Sequence, residues 1–160
     1  MSKIVEREKL KKIRRTLKGT VVFTNGCFDI LHVGHIQYLK QARKLGSYLV
    51  VALNTDKSVR KIKGKNRPIV PQNERAEVLA ALECVDFVTF FDEDTPLKTL
   101  KLLQPHIIVK GGDWAKENIV GKDVVEKYGG QAISLNFVEG KSTSHIIDKI
   151  LKTSIPSSRT

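Results

Sequence analysis

Cysteine is scarce in this chain. The two thiols, Cys27 and Cys84, lie far apart, and neither belongs to a C-x-x-C pair. A disulfide framework and a cysteine-based zinc knuckle are therefore excluded, and both residues are expected to stay thiols. Long apolar runs are missing as well. No window approaches the roughly 18 to 20 continuous apolar residues of a membrane span. The start, MSKIVEREKLKKIRR, is charged throughout and lacks a signal core. The expectation is a cytoplasmic protein with no membrane partner. Two common phosphate fingerprints are also absent: GxGxxG, which excludes a dinucleotide fold of that type, and GxxxxGK[ST], which excludes a P-loop NTPase. Acidic residues are outnumbered, 17 against 28 basic, for a net charge of +11. That excess suits nucleic acid, an anionic membrane surface or small polyanionic substrates. Aromatics are only 6% and are not interleaved with the basic runs, and no RNA-binding signature is present, which argues against a nucleic-acid module.

What is present reads as one domain. At 160 residues the chain can bury a single core of ordinary size. Its basic residues concentrate in 3–18 and 57–67. The first run reads as the solvated face of an amphipathic helix carrying Ile4, Leu10, Ile13 and Leu17 on its other side. Five short apolar runs rich in β-branched and aromatic residues then predict strands at 20–24, 48–53, 87–91, 106–109 and 132–138. Helical spacing predicts helices at 33–45, with Val33, Ile36, Leu39 and Ala42 inward and Gly46 as cap, and at 72–83, with Val78, Leu79 and Leu82 inward. A further helix is expected after Thr95 as N-cap and Pro96 at its first position, ending at Pro105. The last two are 122–128 and a closing helix with Ile146, Ile147, Ile150 and Leu151 on one side. Residues 56–70 read as mostly loop, and 153–160 as a frayed tail. Alternating strands and helices define the α/β class: a Rossmann-like, doubly wound, parallel five-stranded sheet with its core in about 20–150.

In such sheets ligands bind at the carboxyl ends of the strands, at the switch point. The loops 24–35, 54–67, 110–114 and 138–144 should therefore converge, and they are the ones rich in Gly, His, Lys, Ser and Thr. In TNGCFDILHVGH, Asn25-Gly26 permits a tight turn and close backbone approach after the first strand. His32 and His35 flank the first turn of a helix, whose free N–H groups suit phosphate. Gly34 removes a side chain where phosphate would lie. Zinc would need further ligands, but His106 and His145 are scattered and no metal ligand set is expected. A pair of satisfied core histidines is the other reading, and the strand–Gly–helix setting weighs against it.

TNGCFDILHVGH after the first strand resembles the signature of the HxGH nucleotidyltransferases, related to the cytidylyltransferases and class I aminoacyl-tRNA synthetases. STS (142–144) before the last helix resembles the second phosphate-binding signature of that superfamily, with Ser144 where threonine is usual. The stretches NTDKSVRKIKGKNRPIVPQNERAEVLAALECVDFVTFFDEDTP and IIVKGGDWAKENIVGKDVVEKYGG resemble the adenylyltransferases that act on D-glycero-β-D-manno-heptose 1-phosphate. Those enzymes often form the C-terminal half of a kinase–transferase; here the domain is expected to stand alone.

The resemblance implies transfer of AMP from ATP to a sugar phosphate, with pyrophosphate released. Small-molecule substrates, no nucleic acid, a homodimer and Mg²⁺ carried in on ATP are implied with it. An ionised phosphate nucleophile needs no general base, so the site must supply positive charge and alignment. On that reading His32 and His35 stabilise charge at the α-phosphate, and Lys63 or Lys65 reaches between the substrates' phosphates. Backbone around Asn25, Gly26, Cys27 and Phe28 approaches the nucleotide. Ser142, Thr143 and Ser144 take the β- and γ-phosphates. Lys110, Gly111, Gly112, Asp113 and Trp114 line the nucleoside or sugar side, Trp114 being equally readable as a packing residue. Arg75 holds the nucleotide, anchors a loop or pairs with a carboxylate. Asp29 is the nearest carboxylate and is equally readable as a turn cap. Alternatives in the same superfamily are a glycerol-3-phosphate cytidylyltransferase and adenylyltransferases that make FAD or dephospho-coenzyme A.

Overall fold

A computed structural model describes residues 2–112, 118–136 and 140–154. Among these, five strands and seven helices follow in the order α1 (Arg7–Thr16), β1 (Val21–Gly26), α2 (Val33–Lys44), β2 (Tyr48–Asn54), α3 (Asp56–Lys63), α4 (Gln72–Ala80), β3 (Phe87–Phe91), α5 (Leu97–Leu103), β4 (Ile107–Gly111), α6 (Lys122–Glu126), β5 (Gln131–Leu135) and α7 (Thr143–Ser154). The sheet is parallel throughout with strand order β3-β2-β1-β4-β5, the doubly wound Rossmann-like arrangement read from the sequence.

Strand alternation divides the core between the two faces of the sheet. Val21, Phe23, Val50, Ala52 and Ile108 pack toward Leu10, Leu100 and Val125 of α1, α5 and α6. Val22, Leu49, Val51, Leu53 and Val109 pack toward Tyr38, Leu39 and Leu79 of α2 and α4. Burial on both faces is why these strands read as continuous apolar runs.

β1 runs beside β2 for its whole length, from Val21↔Tyr48 to Gly26↔Leu53. Its pairing with β4 covers only Val22↔Ile107 and Phe23↔Ile108. Beyond Phe23 the two strands diverge, although both continue. A crevice therefore opens at the carboxyl end of the sheet, where the chain reverses its winding.

Several sequence expectations are corrected. The run 56–70 is not mostly loop, since α3 occupies its first half. Thr55 caps that helix by accepting from the backbone N–H of Ser58 at 3.2 Å, and Val59 is fully buried beneath a cationic outer face. α5 begins at Leu97, with Pro96 rather than Thr95 as its N-cap. Val78 and Val33 face outward, 49% and 48% exposed, because α4 and α2 bury narrower stripes centred on Leu79 and Leu39. On α7, Ile150 and Leu151 are more than half exposed. Gly46 does not end α2 through a left-handed backbone. A Cβ there would come within 2.7 Å of the Thr20 carbonyl oxygen and of Val22, so close packing against β1 demands glycine. In the first loop, Asn25 and Gly26 still belong to β1, and the left-handed residue is Phe28, at φ +43°.

Candidate active site

The crevice widens into a cavity of about 850 Å³, lined from β1, α2, α3, β4 and the start of α7. That volume suits small-molecule ligands. Three of the four convergent loops send several residues to its wall, and the fourth, at 110–114, sends Lys110 and Gly111.

His32 is the N-cap of α2 and His35 lies in its first turn. The rings stack, with centroids 3.9 Å apart, and Phe28 tilts against His35 at 5.3 Å. The Nδ1 atom of each ring is buried and has no hydrogen-bond partner among the described residues. A buried polar atom without a partner costs about 1–3 kcal/mol, so such atoms mark places where a ligand is expected. Burial, and then the neighbouring His32, pushes His35 down to about 4. Burial, and then Lys141, lowers His32 as well. Both rings are thus neutral at pH 7, each presenting one N–H donor. Gly34 lies between them for want of space: a Cβ would sit 3.0 Å from the His32 ring and 3.3 Å from the Lys141 side chain. Its absent side chain lets His32 and the approach to α7 close together.

α2 is held in place by Tyr38, one turn below His35. The Thr24 hydroxyl lies 2.6 Å from the buried Tyr38 oxygen, which donates to the Val109 carbonyl at 3.1 Å. One phenol thus ties the histidine helix to both strands where they part. Sequence reading gave Tyr38 no role, since a tyrosine in a helix carries no signal of its hydroxyl's partners.

At the far side of the cavity Ser142 caps α7, accepting from the His145 backbone N–H at 3.1 Å. Its own O–H proton stays available. Thr143 donates instead to the Ile30 carbonyl at 3.3 Å, which joins α7 to the histidine loop. Ser144 and Lys141 complete this wall, and Lys141 was not singled out in the sequence.

Asn25, Gly26, Cys27 and Phe28 also line the cavity. Burial raises the Cys27 pKa against the pull of Lys63, Arg75 and Arg67, so the thiol stays protonated and no nucleophilic role follows. Lys63, at the end of α3, reaches the wall, as do Lys110 and Gly111; Lys65, Gly34 and Gly112 do not contribute to it. Asp113 and Trp114 fall outside the described residues.

Arg75 stands behind the cavity, not in it. Its side chain is wholly buried. The guanidinium donates to the carbonyls of Val70, Cys27 and Asn54, and to Asp56 at 2.7 Å. All its reach is spent on protein, so of the roles weighed for it the anchoring and ion-pair ones describe its position. Asp29 has a similar job. It accepts from Arg67 Nε at 2.6 Å and from the backbone N–H groups of Ile69 and Val70. Burial would raise its carboxyl, but these donors bring it below the ordinary range. Asp29 thereby pins the 67–70 segment and places Arg67, another cavity residue, beside the histidine loop.

The crevice is thus an open switch point in a 3-2-1-4-5 parallel sheet, with HxGH on one helix start and hydroxyls on another. The chain belongs to the Cytidylyltransferase-like family, whose profile matches residues 23–149. It is 57% identical over 144 residues to the bifunctional protein HldE of Geotalea uraniireducens, and 54% identical over 153 residues to that of Syntrophotalea carbinolica. These alignments cover 90% and 94% of this chain but only 29% and 31% of the relatives, so the chain spans less than a third of their length. Among solved structures, the lipopolysaccharide core biosynthesis protein of Thermoplasma volcanium is 32% identical, with a TM-score of 0.63 over 78% of this chain and 100% of that one. Pantoate–β-alanine ligase of Francisella tularensis shares the fold at 14% identity, with a TM-score of 0.60 over 95% of this chain and 80% of that one.

Proposed function

We propose that this chain transfers AMP from ATP to D-glycero-β-D-manno-heptose 1-phosphate, giving ADP-heptose and pyrophosphate for the lipopolysaccharide core. The observation that carries the reading is the convergence of His32, His35, Lys63 and the Ser142–Ser144 helix start on one cavity. The HldE relatives and the 32% identical lipopolysaccharide core biosynthesis protein support the choice of acceptor.

An acceptor phosphate oxygen attacks the α-phosphorus of ATP in line. The new P–O bond forms as the bond from the α-phosphorus to the bridging oxygen breaks, and pyrophosphate leaves with the electron pair. The nucleophile is ionised at pH 7, so the protein need not take a proton from it. The barrier is repulsion between anions, and the work of the site is electrostatic. The neutral histidines donate N–H groups to the phosphates as charge develops on the leaving group. The α7 start receives the distal phosphates through Ser142 and Ser144, and Lys63 bridges the two substrates.

Mg²⁺ is part of this proposal and, when bound, neutralises part of the triphosphate charge. The residues present fit an ion that arrives on ATP. Among the described residues no three of His, Cys, Asp and Glu gather into a cage, and both oxygens of Asp29 already accept from Arg67 and backbone N–H groups. A cytoplasmic homodimer that does not act on nucleic acid completes the proposal; among the described residues no helix is long and apolar enough to cross a membrane.

The deciding measurement is pyrophosphate release with heptose 1-phosphate and each nucleoside triphosphate in turn. Turnover with ATP is expected. Turnover only with CTP and glycerol 3-phosphate would replace this assignment with a cytidylyltransferase.

A further inference from the structure

The two faces of the crevice are not chemically alike. On β4, Ile108 packs toward α5 and α6, and Val109 toward α2. The period of two sends Lys110 to the Ile108 face. His35 lies on the other, against Phe28 in the cluster that holds Tyr38 and Val109. Lys110 is half-buried in the cavity wall, and its ammonium has no hydrogen-bond or ion-pair partner among the described residues. Burial lowers its pKa, Cys27 opposes that, and Lys63, which lines the same cavity, lowers it a little further. A half-buried cation without a counter-ion is costly, and an anion held beside Lys110, within reach of the exposed Lys63 on the same cavity wall, offsets that cost.

In-line displacement settles which anion. On the proposed function the leaving pyrophosphate lies toward the histidines and the α7 start. The attacking oxygen must come from the opposite side of the α-phosphorus, which is the face onto which Lys110 projects.

We propose that Lys110 binds the phosphate of the acceptor, paired with Lys63, so that the acceptor docks on the α5 face of the sheet while ATP occupies the α2 face. Asp94 and Thr95, in the cavity wall ahead of α5, then stand beside the acceptor's hydroxyl groups. This assignment rests on the nucleotidyltransferase reading of the cavity, but not on heptose being the sugar.

The test uses the full chain and the variants Lys110→Gln and Lys110→Arg. Calorimetry first measures inorganic phosphate binding with a non-hydrolysable ATP analogue already bound. A hydrogen bond to a charged group contributes about 1.5–3 kcal/mol, so Lys110→Gln should weaken phosphate about 10-fold or more. Affinity for the analogue should change by less than about twofold, and Lys110→Arg should recover most of the phosphate binding. Steady-state kinetics should show the same division, with KM rising for the sugar phosphate and not for ATP. Unchanged phosphate affinity, equal weakening of the ATP analogue, or no phosphate binding by the unaltered protein would each overturn the assignment. If the calorimetric result holds but heptose 1-phosphate is not turned over, the choice of sugar falls and the role of Lys110 stands.

Discussion

The two stacked imidazoles stand at the centre of the proposed reaction, and their protonation follows from their surroundings. Replacing His35 with alanine should lower kcat by about 10²-fold or more, the scale for losing one preorganised donor; a loss of only a few-fold in a folded variant would remove it from the chemistry. The same ring sets a stability trend. An unfolded histidine titrates near 6.5, whereas folded His35 does so at about 4. Between those values the unfolded chain binds a proton that the native state refuses. Stability from this group is therefore complete above about pH 6.5 and is lost as pH falls toward 4. Urea midpoints for the unaltered protein should drop across that window, and His35→Ala should flatten part of the drop. That histidines stand at a helix start is visible in the letters HVGH. That they stack and stay neutral is not, because both depend on burial in the folded cavity, with Lys141, 109 positions from His32, adding to the effect on that ring.

Segments between the strands are held by a few buried polar groups. Arg75 alone joins the histidine loop, the end of β2, the start of α3 and the 70s turn. Arg75→Ala strands the Cys27 and Asn54 carbonyls and the Asp56 carboxylate. It should destabilise the fold by about 3–5 kcal/mol in denaturant unfolding. Arg75→Lys should recover only part, since an ammonium lacks the planar fork that serves several acceptors at once. A loss below about 1 kcal/mol in the alanine variant would mean that the loops hold without it. Elements were the most legible part of the sequence. β3 was expected at 87–91 and occupies Phe87–Phe91. The miss at α3 has a physical cause: its helix is short and half cationic, and only Ser58 and Val59 are buried. A period carried by so few residues is lost among lysines, although the Thr55 cap was there to be read.

The net charge of +11 acts over the whole molecule. Lys63, Arg67, Lys110 and Lys141 line the cavity, and its two lining carboxylates are already paired, Asp29 with Arg67 and Asp94 with Lys61. On the proposed function a polyanionic nucleotide is thus drawn toward the crevice. Raising ionic strength from about 0.01 M to 0.15 M shortens the screening length from about 30 Å to 8 Å. The ratio kcat/KM for ATP should therefore fall over that range at fixed Mg²⁺, with kcat changing less; a flat profile would show that the field plays no part in capture. Strand order and the β1–β4 divergence also belong to the molecule as a whole. Class, the order of the strands and most helices, and the positions of the two segments proposed to bind phosphate were readable in advance, because apolar periodicity, caps and turn residues are local and each is written within a few consecutive positions. The folded chain alone established that Arg75 is an anchor, that Tyr38 holds the histidine helix, and that Lys110 and His35 face opposite sides of one crevice. Those facts depend on which strands pair and which groups lose water, and both are set by residues far apart in the chain.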